Sequence, residues 1–153
     1  MTPTSLYDEA MRTALAQAEL AGARGDVPVG AVVLGPDGVA LAFGYNDRED
    51  SGDPTAHAEV VAIRAAARLL GAWRLSGCAL VVTLEPCTMC AGAIILARLD
   101  KVVYGAVDPK AGAAGSLWDV LRDRRLNHRP EVVPGVLAEE CGALLKAFFD
   151  PRR

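Results

Sequence analysis

Between residues 5 and 23, apolar side chains recur at Leu6, Tyr7, Ala10, Met11, Ala14, Leu15 and Ala18. That spacing is the stripe of a helix packed on one side, with Ser5 as its expected N-cap. The period then changes. VPVGAVVL (27–34) and VALAFGY (39–45) are apolar runs divided by Gly-Pro-Asp-Gly, and they read as a β-hairpin. After a polar loop, HAEVVAIRAAARLLG predicts a helix from about Ala56 to Leu70, capped by Thr55 and ended by Gly71. CALVVTL (78–84) predicts a third strand. A helix to about Ala97 follows, with Pro86 in its first turn, and KVVYG (101–105) predicts a fourth strand. The segment 106–130, with a short helix expected after Ser116, is long enough for a crossover. EVVPGV (131–136) is therefore expected to run parallel to the fourth strand. A last amphipathic helix carries Leu137, Cys141, Leu144, Leu145, Phe148 and Phe149. This order predicts a three-layer α/β/α fold: a mixed five-stranded sheet with strands 4 and 5 parallel and helices on both faces. No repeat or linker interrupts residues 1–153, so one domain is expected.

Composition narrows the class. Just over half of the 153 residues are hydrophobic and 23% are charged, which fits a packed globular chain and excludes a disordered one. The N-terminal stretch lacks the basic start and apolar run of a signal peptide, and no apolar stretch reaches the length of a membrane span. A cytoplasmic protein is expected. Its four cysteines are then reduced thiols or metal ligands rather than a disulfide framework. A net charge of −3 argues against a broadly nucleic-acid-coating surface. One local basic patch stands out, Arg122, Arg124, Arg125, His128 and Arg129, with Arg152 and Arg153 at the end. Its ordinary reading is solvated surface charge, and the alternative is contact with a nucleic acid.

The candidate chemistry lies in TLEPCTMCAGA (83–93) and TAHAEV (55–60). Cys87 and Cys90 share one helix face and lie in a first turn, where the helix dipole favours thiolates. A redox pair, a structural zinc site and a catalytic metal site all use that arrangement. His57 decides between them, because it also sits at a helix start, where Cβ vectors tilt toward the N-terminus. Two helix starts behind adjacent strands can aim one imidazole and two thiolates at one point. Three protein ligands with an open fourth position is the pattern of a catalytic zinc. Glu59 is then a proton shuttle beside the metal rather than a ligand. A redox pair would be expected within aromatic-Cys-Gly-Pro-Cys, which is absent. A closed structural site would need Cys78, Cys141 or His128, and both of these cysteines sit where buried small hydrophobes are expected.

His57-Ala58-Glu59 followed by Pro86-Cys87-x-x-Cys90 matches the zinc-deaminase signature. Taken with DVPVGAV (26–32), GYN (44–46), DPTAHAE (53–59), VVYGAVDPKAGAAGS (102–116) and LNHRPEV (126–132), the chain resembles the bacterial tRNA-specific adenosine deaminases of the cytidine/deoxycytidylate deaminase superfamily. The resemblance implies a cytidine-deaminase-like fold and a homodimer converting adenosine to inosine at the wobble position of a tRNA anticodon. It implies one zinc per subunit on His57, Cys87 and Cys90, whose hydroxide attacks C6 while Glu59 moves protons. It also implies substrate contacts from Asn46, Ala58 and Pro86 at the flipped nucleotide, and from Asp108, Lys110 and Phe149 against the anticodon loop. No DNA partner is expected. Two features depart from the family: Val107 and Pro109 flank Asp108 in a loop that is often more polar, and Asp150-Pro151 should end the last helix early. The alternatives are a small-molecule guanine or cytosine deaminase and a non-catalytic zinc-stabilised interaction module. A free carboxylate at Glu59 serves no purpose in the module. Asp108 itself admits two readings: it shapes the loop before Pro109, or it accepts from a ribose 2′-hydroxyl.

Overall fold

In the computed structural model, which describes residues 3–150, the first apolar stripe forms α1 (Pro3–Ala23). The helix begins two residues before Ser5, so Ser5 is not its cap; a first-position proline gives up only an N–H that has no helical partner there. β1 (Gly30–Leu34) and β2 (Ala40–Tyr45) form the hairpin, antiparallel, with Gly30 opposite Tyr45. β1 also pairs antiparallel with β3 (Ala79–Leu84), which pairs parallel with β4 (Lys101–Ala106), which pairs parallel with β5 (Glu131–Val133). The strand order is β2-β1-β3-β4-β5. The mixed sheet with strands 4 and 5 parallel is thus as expected.

Strand alternation sorts the sheet residues into two cores. Ala31, Val33, Leu80, Val82, Val102 and Tyr104 pack against α3 (Ala58–Leu70) and α4 (Thr88–Leu96) on one face. Val32, Leu34, Val81 and Val103 pack against α1 and α5 (Ala138–Phe149) on the other. Burial on both faces is why these strands read as unbroken apolar runs rather than alternating ones. Two short elements differ from expectation. The polar loop after β2 contains a turn of helix, α2 (Arg48–Ser51), and the helix expected after Ser116 is a single 3-10 turn at Val120–Arg122. The basic tail at Arg152 and Arg153 lies outside the described residues.

The sheet order sets the site. β2 and β3 are not adjacent, as the sequence reading had them; β1 lies between. Being antiparallel to both, β1 makes β2 and β3 run the same way and end at the same edge, about 10 Å apart. The helices that follow therefore both start at that edge. Gly44 fixes the height of α3: a Cβ there would lie 2.4 Å from the Ala58 carbonyl oxygen and 2.6 Å from the Ala62 nitrogen. The first turn of α3 rests directly on the backbone of β2.

Candidate metal centre and active site

His57 is the N-cap of α3 and Cys87 the N-cap of α4, both with extended backbone. Neither Thr55 nor Pro86 occupies its expected place; each helix starts later, and Pro86 precedes α4 instead of opening it. The cap position explains the geometry. Neither side chain caps its own helix; each turns off the helix axis toward the other. His57 Nδ1 lies 3.7 Å from Cys87 Sγ and 3.5 Å from Cys90 Sγ. A tetrahedral zinc with bonds of about 2.05 Å to nitrogen and 2.3 Å to sulfur has nitrogen–sulfur edges of about 3.6 Å. The three donors already stand at that spacing, and one nitrogen with two thiolates suits a borderline-soft ion. They are positioned to bind one zinc.

Among the described residues no fourth metal-binding side chain joins the group. Cys78 precedes β3, about 20 Å along the strand from the site. Cys141 lies across the sheet, on the buried side of α5. His128 Nε2 is 2.7 Å from the Leu99 carbonyl oxygen. The fourth position is left to the cavity.

Electrostatics match. A hydrogen bond from Cys90, supplemented by His57, lowers the Cys87 thiol to about 4 against the cost of burial. Cys90 keeps its proton, its pKa raised by donating to Cys87 and by burial. His57 is raised by its hydrogen bond to Cys87. Protons shared from Cys90 and His57 to Cys87 therefore hold the donors together, and metal binding would displace them. Glu59 is 4% exposed, and burial first, then the Cys87 thiolate, pushes its pKa up to about 7. It is buried beside the donors without joining them.

His57, Cys87 and Glu59 face a cavity of about 160 Å³ that Asn46 and Asp108 also line. Asn46 is held from both ends: its Oδ1 accepts the Ala58 N–H at 2.9 Å, and its Nδ2 donates to the Val27 carbonyl at 3.1 Å. One Nδ2 hydrogen remains for the cavity. Ala58 thus contributes its main chain to the positioning of Asn46, and Pro86 accepts the Ala113 N–H at 2.7 Å; neither side chain lines the cavity. Asp108 Oδ1 accepts the N–H groups of Lys110 and Ala111 at 3.1 and 3.3 Å, so it does shape its loop, while lining the cavity as well. Lys110 is exposed. Phe149 is 62% exposed, edge-on to Phe148, and stands apart from the cavity.

The basic patch is largely committed within the fold. Arg122 pairs with Asp119, Arg125 with Asp123, and Arg129 donates to the carbonyls of Arg124 and Leu126. The structure favours its ordinary reading.

Two buried carboxylates escaped the sequence reading. Glu85, 2% exposed, accepts from the N–H groups of Asp108, Ala114 and Ser116, each at 3.0 Å, and from the Ser116 hydroxyl. Burial opposes its charge and these bonds outweigh it, so its pKa is lowered. Gly112 passes so close that a Cβ would lie 2.4 Å from the Glu85 carboxyl carbon. Asp26 does the same for the opposite rim, accepting from Val27, Glu49 and both main chain and side chain of Arg48. For Glu85 a signal was present, since a lone acid inside an apolar run asks for buried partners; Asp26, next to Arg24-Gly25 and ahead of the run 27–34, carries no such mark.

Comparison with known proteins agrees along the chain. Residues 4–106 match the cytidine and deoxycytidylate deaminase zinc-binding region. The tRNA-specific adenosine deaminase of Bacillus subtilis (strain 168) is 50% identical over 149 residues, covering 97% of this chain and 90% of that one. That of Haemophilus influenzae is 47% identical over 150 residues, covering 97% and 87%. A structure solved in a study of A-to-I editing by tRNA:A34 deaminases at the wobble position superposes with a TM-score of 0.85 and 44% identity, covering 88% of this chain and 97% of that one.

Proposed function

Because the chain belongs to the family of cytidine and deoxycytidylate deaminases, we propose that residues 1–153 form one zinc-dependent domain that converts adenosine to inosine at the wobble position of a tRNA anticodon. It is a hydrolase acting on a C–N bond. The observation that carries the reading is the convergence of His57, Cys87 and Cys90 at tetrahedral spacing around an open position, with buried Glu59 alongside.

Zinc on these three donors supplies a Lewis-acid charge and a water acidified to near neutrality. Glu59 does the proton work. With a pKa near 7 its carboxylate accepts one proton from the attacking water and passes it to N1 of the adenine ring, then takes the second from the new C6 hydroxyl and delivers it to the departing amine. Adenosine and water become inosine and ammonia. The free Nδ2 hydrogen of Asn46 donates to the entering nucleotide. The single-stranded anticodon loop lowers the cost of extruding the base into the cavity.

Asp108 and Lys110 meet the loop at the cavity rim, and Phe149 offers an exposed ring to it. The enzyme works as a homodimer. Leu69, Trp73 and Leu96, at 62%, 60% and 70% exposure, crowd the neighbouring ends of α3 and α4, and a second copy would cover such an apolar surface. Among the described residues no helix is long and apolar enough to cross a membrane, and a tRNA substrate puts the reaction in the cytoplasm.

The test is incubation of the zinc-loaded protein with an anticodon stem-loop RNA bearing a wobble adenosine, and separately with free adenosine, guanine and cytosine. Inosine in the RNA is the expected product. Turnover of a free base with none of the RNA would overturn the reading.

A further inference from the structure

The cavity is lined by three carboxylates, Glu59, Glu85 and Asp108, and by one permanent cation, Arg48. A nucleic-acid backbone approaching that mouth is repelled unless a fixed positive group receives it. Arg48 is fixed. Its Nε and Nη2 donate to Asp26 Oδ1 at 3.1 and 2.7 Å, while its own N–H and that of Glu49 bond Asp26 Oδ2 at 2.7 and 3.1 Å. The Asp26 side chain is 1% exposed and that of Arg48 is 35% exposed. One edge of the guanidinium is therefore committed inward. Nη1 has no protein partner among the described residues, although the side chain borders the cavity.

A guanidinium with one edge locked on a buried carboxylate and another open is pre-set for an oxyanion, because its planar fork presents five donors in two directions. We propose that Arg48 binds a backbone phosphate adjoining the extruded adenosine, a contact that rests on the RNA reading above. Asp26 is its positioning residue. Because the Arg48–Asp26 pair is formally neutral, the contact acts at short range rather than by steering the substrate from afar. Lysine would carry the charge without reaching both partners.

The experiment measures steady-state deamination of the anticodon stem-loop RNA by wild type, Arg48→Gln and Arg48→Lys over a range of KCl, with zinc content and melting temperature of each. Arg48→Gln should raise KM roughly ten- to a hundredfold, the size of a lost charged hydrogen bond, with a smaller change in kcat. It should also reduce the steepness of log(kcat/KM) against log salt by about 0.7, one phosphate on a single strand. Arg48→Lys should keep the wild-type slope and recover part of the KM. An unchanged slope in Arg48→Gln would overturn the contact and leave Arg48 as a brace for Asp26. If Arg48→Gln loses zinc or unfolds, the substrate is altered instead. RNA with a neutral methylphosphonate beside the target, 2′-O-methylated at that sugar, should show the same KM loss with wild type. No loss at either flanking linkage overturns the proposal. Failure of wild type to act on the unmodified RNA at all would remove the RNA reading itself, and this contact with it.

Discussion

Replacing Glu85 by Gln changes one atom and tests what holds the cavity's far rim. The carboxylate accepts four hydrogen bonds, two at each oxygen: Asp108 N–H and the Ser116 hydroxyl at Oε1, and Ala114 and Ser116 N–H at Oε2. An amide must turn its NH2 toward one pair. Facing Oε2 it would confront two main-chain N–H groups, so it faces Oε1, where the Ser116 hydroxyl can rotate to accept. The Asp108 N–H is then orphaned against another donor. Such an orphan costs about 1–3 kcal/mol, and the remaining bonds lose their charge assistance, so the sum is about 3 kcal/mol. In a chain of this size that lowers Tm by about 6–12 °C. The assay is thermal unfolding followed by circular dichroism at pH 7, with Ser116→Ala as the milder companion at about 1 kcal/mol. The pH dependence gives a second handle. Because the folded pKa of Glu85 is lowered from its ordinary 4.5, its contribution is full above pH 4.5 and is lost as pH falls through the folded value. The gap between wild type and Glu85→Gln should therefore be constant near neutrality and narrow in acid. A Tm change under about 2 °C at pH 7, or a gap that widens in acid, would refute the account.

Other outcomes follow from the same geometry. Glu59→Ala should keep the fold and its zinc, measured by elemental analysis at about one ion per chain, yet lose deamination by 10²–10⁴-fold or more; a tenth of wild-type activity would assign the shuttle elsewhere. Gly44→Ala should cost at least about 2 kcal/mol in denaturant unfolding and weaken zinc retention against a chelator, because its Cβ drives Ala58 and hence His57 off the sheet edge. Sedimentation at micromolar concentration should give a dimer, and Leu96→Glu should shift it toward monomer.

The strands were legible because their runs of Val, Leu and Ala are bounded by Gly, Pro and Asp, and the metal donors because Cys87, Cys90 and His57 fall at helix starts. The caps were not. Thr55 and Pro86 have better local credentials than His57 and Cys87, and only the meeting of two helices, which local propensity does not encode, makes the ligands the caps. The neighbours of β3 were hidden for a similar reason: the hairpin is written in its turn, whereas the pairing of β1 with β3 depends on which faces bury. Glu85 was missed because its partners, Asp108 to Ser116, lie more than 20 residues downstream and are mostly main-chain N–H groups, which leave no mark on sequence.

The direction of the strands has a consequence for how this chain can be lengthened. Everything that touches the cavity lies where β2 and β3 end, so the Pro36-Asp37-Gly38 turn and the step from Gly77 into β3 sit at the other edge, bordering a separate hollow with Asp100 and Lys101. Extra residues accepted there cost little, because doubling a flexible loop adds only about 0.6 kcal/mol of closure entropy. A glycine-serine stretch inserted after Asp37 should carry a fused domain without disturbing turnover, whereas the same stretch after Asp47 or Pro109 would separate a rim from the carboxylate that anchors it. The fold has one edge open to grafting and one closed to it.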